Sequence, residues 1–320
     1  MIGPMSSGPF QIVFAGPFDV APVERMRQAG KVTLLDPVDT PALMSAVQSC
    51  DALLARSHVQ VTRGVLEHAP KLRVIGRAGV GLENIDLAVA KERGVTVVYT
   101  PCAATEAVAD LTVGMIIALV RNLTVMDRLV RSSRFQEARE AALGCELHEL
   151  TLGIVGMGRI GRALARRCSL GFGMKVIYND IVDVGPLDFP AQAVEKRVLY
   201  QEADVVSVHV PLTDDTRQMI DAQALSCFKA GSLLINTARG AVVDCDALAD
   251  ALAGRRLAGA ALDVFDPEPL PSAHPLLSAP NTVFTPHIGA RTVGGQARMN
   301  AVVDDVIRVL RGEPSRYAAW

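Results

Sequence analysis

Short apolar, β-branched runs alternate with helical stretches from one end of this 320-residue chain to the other. That alternation restricts the fold more than any other feature. Continuous apolar strands need cover on both faces, and helices between them supply it, so parallel sheets sandwiched by helices follow. In the first third the runs are QIVFA (11–15), VTLLD (32–36), ALLAR (52–56), RVIGR (73–77) and TVVYT (96–100). Helix-like segments such as PVERMRQAG and NIDLAVAKERG separate them, the second closed by Arg93 and Gly94, a helix stop. A long helical segment is expected over 105–133, with Thr105 as its cap, and RFQEAREAALGCELHEL then reads as a surface connection. The alternation restarts with TLGIVG (151–156), KVIYND (175–180), VVSVHV (205–210), SLLINTA (232–238), GAALDVF (259–265) and TVFTP (282–286). A last helix, GGQARMNAVVDDVIRVLRG, ends at Gly312. Two α/β units are expected, with a cleft between them for a small ligand.

Composition narrows the function classes. Half of the residues are hydrophobic and the formal charge is −2. No basic surface for nucleic acid and no disordered charge block is implied. Six cysteines are scattered without CxxC spacing. Neither a zinc site nor a disulfide framework is expected, and the thiols suit a reducing cytoplasm. The N-terminal MIGPMSSGPF lacks the basic and apolar regions of a signal peptide and reads as an extension. The run LTVGMIIALV (111–120) is too short for a membrane span and is followed by Arg121, so it reads as a buried helix.

The segment LGIVGMGRIG sets Gly156, Gly158 and Gly161 in G-x-G-x-x-G order. An apolar strand precedes it and a helix, RIGRALARRCSL, follows. Gly156 permits the tight turn, Gly158 lets a pyrophosphate approach, and Gly161 allows close helix–strand packing. The helix N-terminus adds free N–H groups and positive potential. The next strand ends at Asp180, nineteen positions after Gly161. A carboxylate there accepts from ribose hydroxyls and repels a 2′-phosphate, which favours NAD over NADP. The alternatives are a nucleotide-free turn or another adenosine ligand.

Three polar residues follow strands of the second half: Arg239 after LLINTA, Glu268 after ALDVFDP and His287 after VFTP. Strand carboxyl ends line the ligand crevice of a doubly wound sheet. The ordered set GRAGVGLENIDL, GIVGMGRIG, HVPLTDDTRQMI, INTARGAVVD, ALDVFDPEP and TPHIG covers nearly the whole chain. In that set the chain resembles the D-isomer-specific 2-hydroxyacid dehydrogenases, most closely the phosphoglycerate and hydroxypyruvate/glyoxylate branches. The resemblance implies a Rossmann NAD-binding domain over 105–290 and a smaller flavodoxin-like substrate domain built from 1–104 plus 291–320. It implies that Arg239, Glu268 and His287 are the catalytic triad and that Gly79, Val80 and Gly81 bind the substrate carboxylate. It assigns Asp263 to the nicotinamide amide. It adds Arg159, Ile160, Val210, Pro211, Thr216, Thr237, Ala238 and Gly289 to the cofactor-binding positions.

The chemistry suits those residue types. Reducing a 2-keto acid needs a hydride at carbon, a proton at oxygen and an anchor for the carboxylate. An imidazolium at His287 supplies the proton, and Glu268 behind it favours the cation. Arg239 offers a cationic fork. Taken singly, each has a structural alternative: a loop hydrogen bond for His287, an ion pair for Arg239 and Glu268, a turn cap for Asp263, turn geometry for the glycines. The other histidines, His58, His68, His148, His209 and His274, match no catalytic position, and His209 is expected near the cofactor edge.

Arg56 and Arg77, at strand ends, are expected to contact substrate, with a structural role as the alternative. A second anion such as phosphate would suit them, but Ala104 stands where phosphate-ester relatives carry asparagine. Asp110 and Cys245 stand where glutamate is usual. The chain ends soon after its last helix, which implies no regulatory C-terminal domain. The expected activity is NAD-dependent interconversion of a small D-2-hydroxy acid and its 2-keto acid, by a cytoplasmic homodimer. The alternatives are a formate or phosphite dehydrogenase and a non-enzymatic NAD(H)-sensing protein of corepressor type.

Overall fold

In the computed structural model the apolar runs become strands of two parallel sheets, and residues 9–141 and 143–320 are described. The first eight residues of the expected N-terminal extension lie outside them. The first sheet holds β1 (Phe10–Ala15), β2 (Gly30–Leu35), β3 (Ala52–Ala55), β4 (Val74–Arg77) and β5 (Thr96–Tyr99), in the order β2-β1-β3-β4-β5. This is the flavodoxin-like order, with its switch point between β1 and β3. The second sheet holds β6 (Thr151–Val155), β7 (Lys175–Asn179), β8 (Gln192–Ala193), β9 (Val205–Val208), β10 (Ser232–Asn236), β11 (Leu257–Leu262) and β12 (Thr282–Phe284). Its order, β12-β11-β10-β9-β6-β7-β8, is the Rossmann winding extended by one strand. The chain divides into two compact units, one of residues up to Ala104 with Arg291–Trp320, the other Thr105–Ala290.

Period-two alternation fills both faces of the second sheet. Leu152 and Ile154 of β6 enter one apolar cluster, with Ile116, Leu119 and Leu164 from two helices. Val155 enters the opposite cluster, with Leu234, Leu248 and Phe228. Each such burial stabilises by about 1.5–3 kcal/mol. In the first unit Leu53, Ile75, Val97 and Val13 form the matching core on one face of their sheet.

Several sequence expectations are corrected. The long helix over 105–133 is two, Thr105–Val120 and Leu123–Arg131, bent by 63°. The break falls at Asn122, whose φ of +51° is tolerated because asparagine visits the left-handed region more readily than most residues. Thr105 is itself the first helical residue and not the cap. The last helix is also two, Val293–Asn300 and Val302–Leu310. Most strands of the second sheet stop one to three residues earlier than expected, at Val155, Asn179, Val208, Asn236, Leu262 and Phe284, because the residues after them already belong to loops. β8 was not anticipated: its two residues are exposed and leave no apolar pattern. The helix stop at Arg93–Gly94 is as expected, with Gly94 at φ +69°. Among the described residues, no single helix is long and apolar enough to cross a membrane.

Candidate active site

The register of the second sheet aligns its strand ends. Asn179, Val155, Val208, Asn236, Leu262 and Phe284 are successive partners across β7, β6, β9, β10, β11 and β12. The next residue on each strand is Asp180, Gly156, His209, Thr237, Asp263 and Thr285. One row of loop starts therefore carries the glycine turn at one end and the loops of Arg239, Glu268 and His287 at the other.

The turn after β6 is built for close approach. Gly156 has φ +95°, and a Cβ there would stand 2.9 Å from the His209 carbonyl carbon. A Cβ on Gly161 would stand 2.2 Å from the Gly156 oxygen, so the helix Arg159–Arg166 packs directly on the turn. A Cβ on Gly158 would meet nothing within 4 Å, and no side chain caps that helix. Its first-turn N–H groups are thus left for a ligand, and Arg159 and Ile160 sit in that first turn.

Asp180 reaches back to this turn. Its Oδ2 accepts the Met157 N–H at 2.7 Å and its Oδ1 accepts the Val182 N–H at 3.1 Å. Arg162 holds the same turn from the helix, donating to the carbonyls of Met157 (3.2 Å) and Val184. Neither backbone bond of Met157 was legible in the sequence.

After β9, His209 is half-buried, and its Nε2 shares a 2.9 Å hydrogen bond with the Ser207 hydroxyl. Burial pushes its pKa down to about 4, so it is neutral at neutral pH. Its Nδ1 is buried without a partner among the described residues. Val210 and Pro211 begin a loop closed by Thr216, whose hydroxyl donates to the Pro211 carbonyl at 2.6 Å. Thr237 is bonded to Thr112 at 3.1 Å; the Thr112 hydroxyl donates to Val108, so Thr237 is the donor and its oxygen keeps acceptor capacity. The open glycine turn, its uncapped helix, the acid at the next strand end and the orphaned His209 nitrogen fit a dinucleotide.

At the other end, His287 Nδ1 lies 3.0 Å from Glu268 Oε2. Glu268 Oε1 accepts the Phe265 N–H at 3.0 Å, which fixes the carboxylate plane. The Glu268 hydrogen bond raises the His287 pKa; burial opposes this, and the charges of Glu268 and Asp263 reinforce it against Arg239. For Glu268, burial works upward but is outweighed by His287, the Phe265 N–H and Arg239, so its pKa falls. The pair is arranged as carboxylate and imidazolium, with Nε2 left for chemistry. Arg239 is half-buried and donates to the Ala238 carbonyl at 2.8 Å.

His287 occupies the left-handed region at φ +54°, uncommon for a residue with a Cβ. Asp263, 2% exposed, imposes it. Its Oδ1 accepts from Thr285 Oγ1 (2.5 Å) and the Ile288 N–H (2.8 Å), its Oδ2 from the Gly289 N–H (2.8 Å). Its carbonyl accepts the His287 N–H at 2.8 Å. A residue expected at the nicotinamide amide thus also holds the whole histidine loop. Thr285 is the first residue after β12, and a lone threonine there carries no distinguishing signal in the sequence.

In the first unit, the loop after β4 is anchored where Gly79 accepts the Thr100 N–H at 3.0 Å, and Val80 and Gly81 are half-buried. The two arginines expected at the substrate have these partners in their own unit. Arg77 is buried, donates to the Ala78 carbonyl at 3.0 Å and fills the space a side chain on Gly79 would need. Arg56 donates to Pro17 (2.8 Å), Gln296 (3.3 Å) and Asn300 (2.8 Å), and lies 4.2 Å from the Phe18 ring. Both are engaged within their own unit. A 540 Å³ surface hollow is lined by Glu106, Arg166, Arg167, Leu170 and Gly171 and holds none of the site residues; its arginines pair with Asp188, Glu106 and Asp110.

Residues 113–289 match the model of the D-isomer specific 2-hydroxyacid dehydrogenase NAD binding domain. The chain is 39% identical to a glyoxylate reductase of Thermofilum pendens, over 87% of this chain and 83% of that protein. It is 36% identical to a D-3-phosphoglycerate dehydrogenase of Methanocaldococcus jannaschii, over 95% of this chain and 58% of that one. A solved D-lactate dehydrogenase from Aquifex aeolicus, complexed with NAD and lactic acid, superposes with a TM-score of 0.82 at 29% identity, over 94% of this chain and 96% of that chain. Among the three readings weighed from the sequence, these similarities support the hydroxy-acid dehydrogenase. The chain belongs to the D-isomer specific 2-hydroxyacid dehydrogenase family, as an NAD-dependent oxidoreductase of 2-hydroxy acids.

Proposed function

We propose that this chain reduces a small, unphosphorylated 2-keto acid of the glyoxylate or hydroxypyruvate class, with His287 as proton donor. The observation that carries the reading is the His287–Glu268 hydrogen bond, which holds one ring nitrogen and favours the protonated ring. Bound NADH supplies the hydride. His287 delivers its Nε2 proton to the carbonyl oxygen, and Glu268 stabilises the cation beforehand and orients the ring afterwards. Arg239 anchors the carboxylate and polarises the carbonyl. The N–H groups of the Gly79–Gly81 loop are a second place for that carboxylate.

On the cofactor side, the N–H groups around Gly156, Gly158, Arg159, Ile160 and Gly161 would hold the pyrophosphate. Asp180 would hold the adenosine ribose, and Val210, Pro211, Thr216, Thr237, Ala238 and Gly289 would line the rest of the dinucleotide. Asp263 would meet the nicotinamide amide through the acceptor position left on Oδ2. The substrate is read as unphosphorylated because Ala104 offers no side-chain amide; Arg56 and Arg77 are kept as substrate-contact positions. The unit of residues 1–104 with 291–320 is assigned to substrate, the unit of 105–290 to NAD.

A homodimer is proposed on the exposed apolar side chains of Leu123, Val130 and Phe135, on the bent helix pair and the helix after it. A cytoplasmic location is proposed on six free cysteines.

Oxidation of NADH and NADPH with glyoxylate, hydroxypyruvate, phosphohydroxypyruvate, pyruvate and bulkier 2-keto acids tests the reaction. The expected result is turnover of the small unphosphorylated acids with NADH. Turnover with none overturns the activity. His287→Gln is expected to lower kcat by roughly 10²–10⁴-fold while NADH still binds. Near-normal turnover in that variant removes His287 from its role.

A further inference from the structure

We propose that Asn236 is the positioning residue that aims Arg239. Asn236 is the last residue of β10 and is 1% exposed. Both ends of its side-chain amide are engaged by the turn that follows, at Ala238 and Arg239. Its Oδ1 accepts the Ala238 N–H at 3.0 Å, and its Nδ2 donates to the Arg239 carbonyl at 2.9 Å. Its own carbonyl accepts the Asp263 N–H at 3.0 Å, so the bracket is tied to the strand end that also holds the histidine loop. Arg239 therefore leaves a turn whose backbone is fixed on both sides.

The next residue closes the frame. Gly240 packs so tightly on the loop of Glu268 that a Cβ there would stand 1.9 Å from the Phe265 carbonyl carbon and oxygen. Phe265 in turn donates to Glu268. Backbone contact thus runs from the arginine turn to the carboxylate behind His287, and Asn236 is the side chain that shapes the first part of it. A buried amide with both ends paired is a rigid bracket, because freeing either end leaves a buried polar group without a partner.

The inference rests on reading Arg239 as the substrate anchor. Asn236→Asp keeps the shape and the acceptor for Ala238 but, when ionised, loses the donor to Arg239. It is expected to raise KM for glyoxylate roughly tenfold to a hundredfold. The NADH dissociation constant, read by fluorescence titration, should move less than twofold. The loss should shrink as pH falls, because a protonated carboxyl regains an O–H donor.

On an Arg239→Lys background the same substitution should add less than a further twofold, since the anchor it serves is already displaced. Should Asn236→Asp not fold, Asn236→Ser enters the same cycle, being too short to reach the Arg239 carbonyl. An unchanged KM in the folded variant, or losses that simply multiply in the double variant, overturns the inference. If Arg239→Lys alone leaves KM unchanged, the anchor reading fails and the inference with it. If Arg239→Lys is impaired while Asn236→Asp is not, the inference alone fails.

Discussion

The turn at Gly156 and the loop at His287 solve one backbone problem in two ways. Both follow a strand of the same sheet, and both need positive φ, +95° and +54°. The turn uses glycine, which pays no steric penalty there. The loop uses histidine, because the position must carry a side chain that moves a proton. Its strain is met from outside, by four hydrogen bonds to the side chain and carbonyl of Asp263. A turn that only presents backbone can encode its geometry locally. A turn that also presents chemistry depends on a residue about twenty-five positions away.

The sharpest way to break this comparison is to remove the external support. Asp263→Ala leaves three donors of one loop without their acceptor, each costing about 1–3 kcal/mol if still buried. We expect kcat to fall at least a hundredfold, with NADH binding weakened far less. If kcat stays within threefold of the parent, the loop holds His287 without Asp263.

Gly156→Val attacks the locally encoded turn instead. The new side chain meets both positive φ and the His209 backbone at 2.9 Å. The NADH dissociation constant should rise roughly tenfold to a hundredfold, a strain of about 1–3 kcal/mol. A calorimetric titration that matches the parent shows that the turn does not need glycine.

Glu268→Gln is the mildest change, because the ring keeps a hydrogen-bond partner and loses only the charge. The carboxylate raises the His287 pKa, so the proton is held to higher pH in the parent. Reduction requires that proton, so kcat/KM in the reducing direction falls as pH rises through the raised pKa. Removing the charge moves this limb to lower pH, with kcat at its plateau reduced about tenfold. A limb that stays in place, or moves upward, contradicts the pairing.

The arginines teach the same lesson from the other unit. Arg77 ends its strand, and Arg56 and Arg239 come shortly after theirs, so all three stand at strand ends. In the fold Arg56 donates to Pro17, Gln296 and Asn300, Arg77 to Ala78, and Arg239 to Ala238. Strand-end placement finds residues near a ligand crevice, but it does not show which groups of the fold they also bind. Gln296 and Asn300 lie some 240 positions from Arg56, beyond any local pattern.

The two parallel sheets, the glycine turn with its acid, and the grouping of Arg239, Glu268 and His287 can all be read from the chain before it folds. Those features are legible because apolar periodicity, steric exclusion at glycine and residue chemistry act over short stretches of chain. The bracket of Asn236 on Arg239, the hold of Asp263 on the histidine loop, and the bonds of Arg56 to Gln296 and Asn300 emerge only when the chain is folded. The helix break at Asn122 and the short edge strand β8 belong with them. These depend on which strand ends the register brings side by side. Asn236, Leu262 and Phe284 become neighbours only when β10, β11 and β12 pair, and a hydrogen bond across that row exists in no one segment alone.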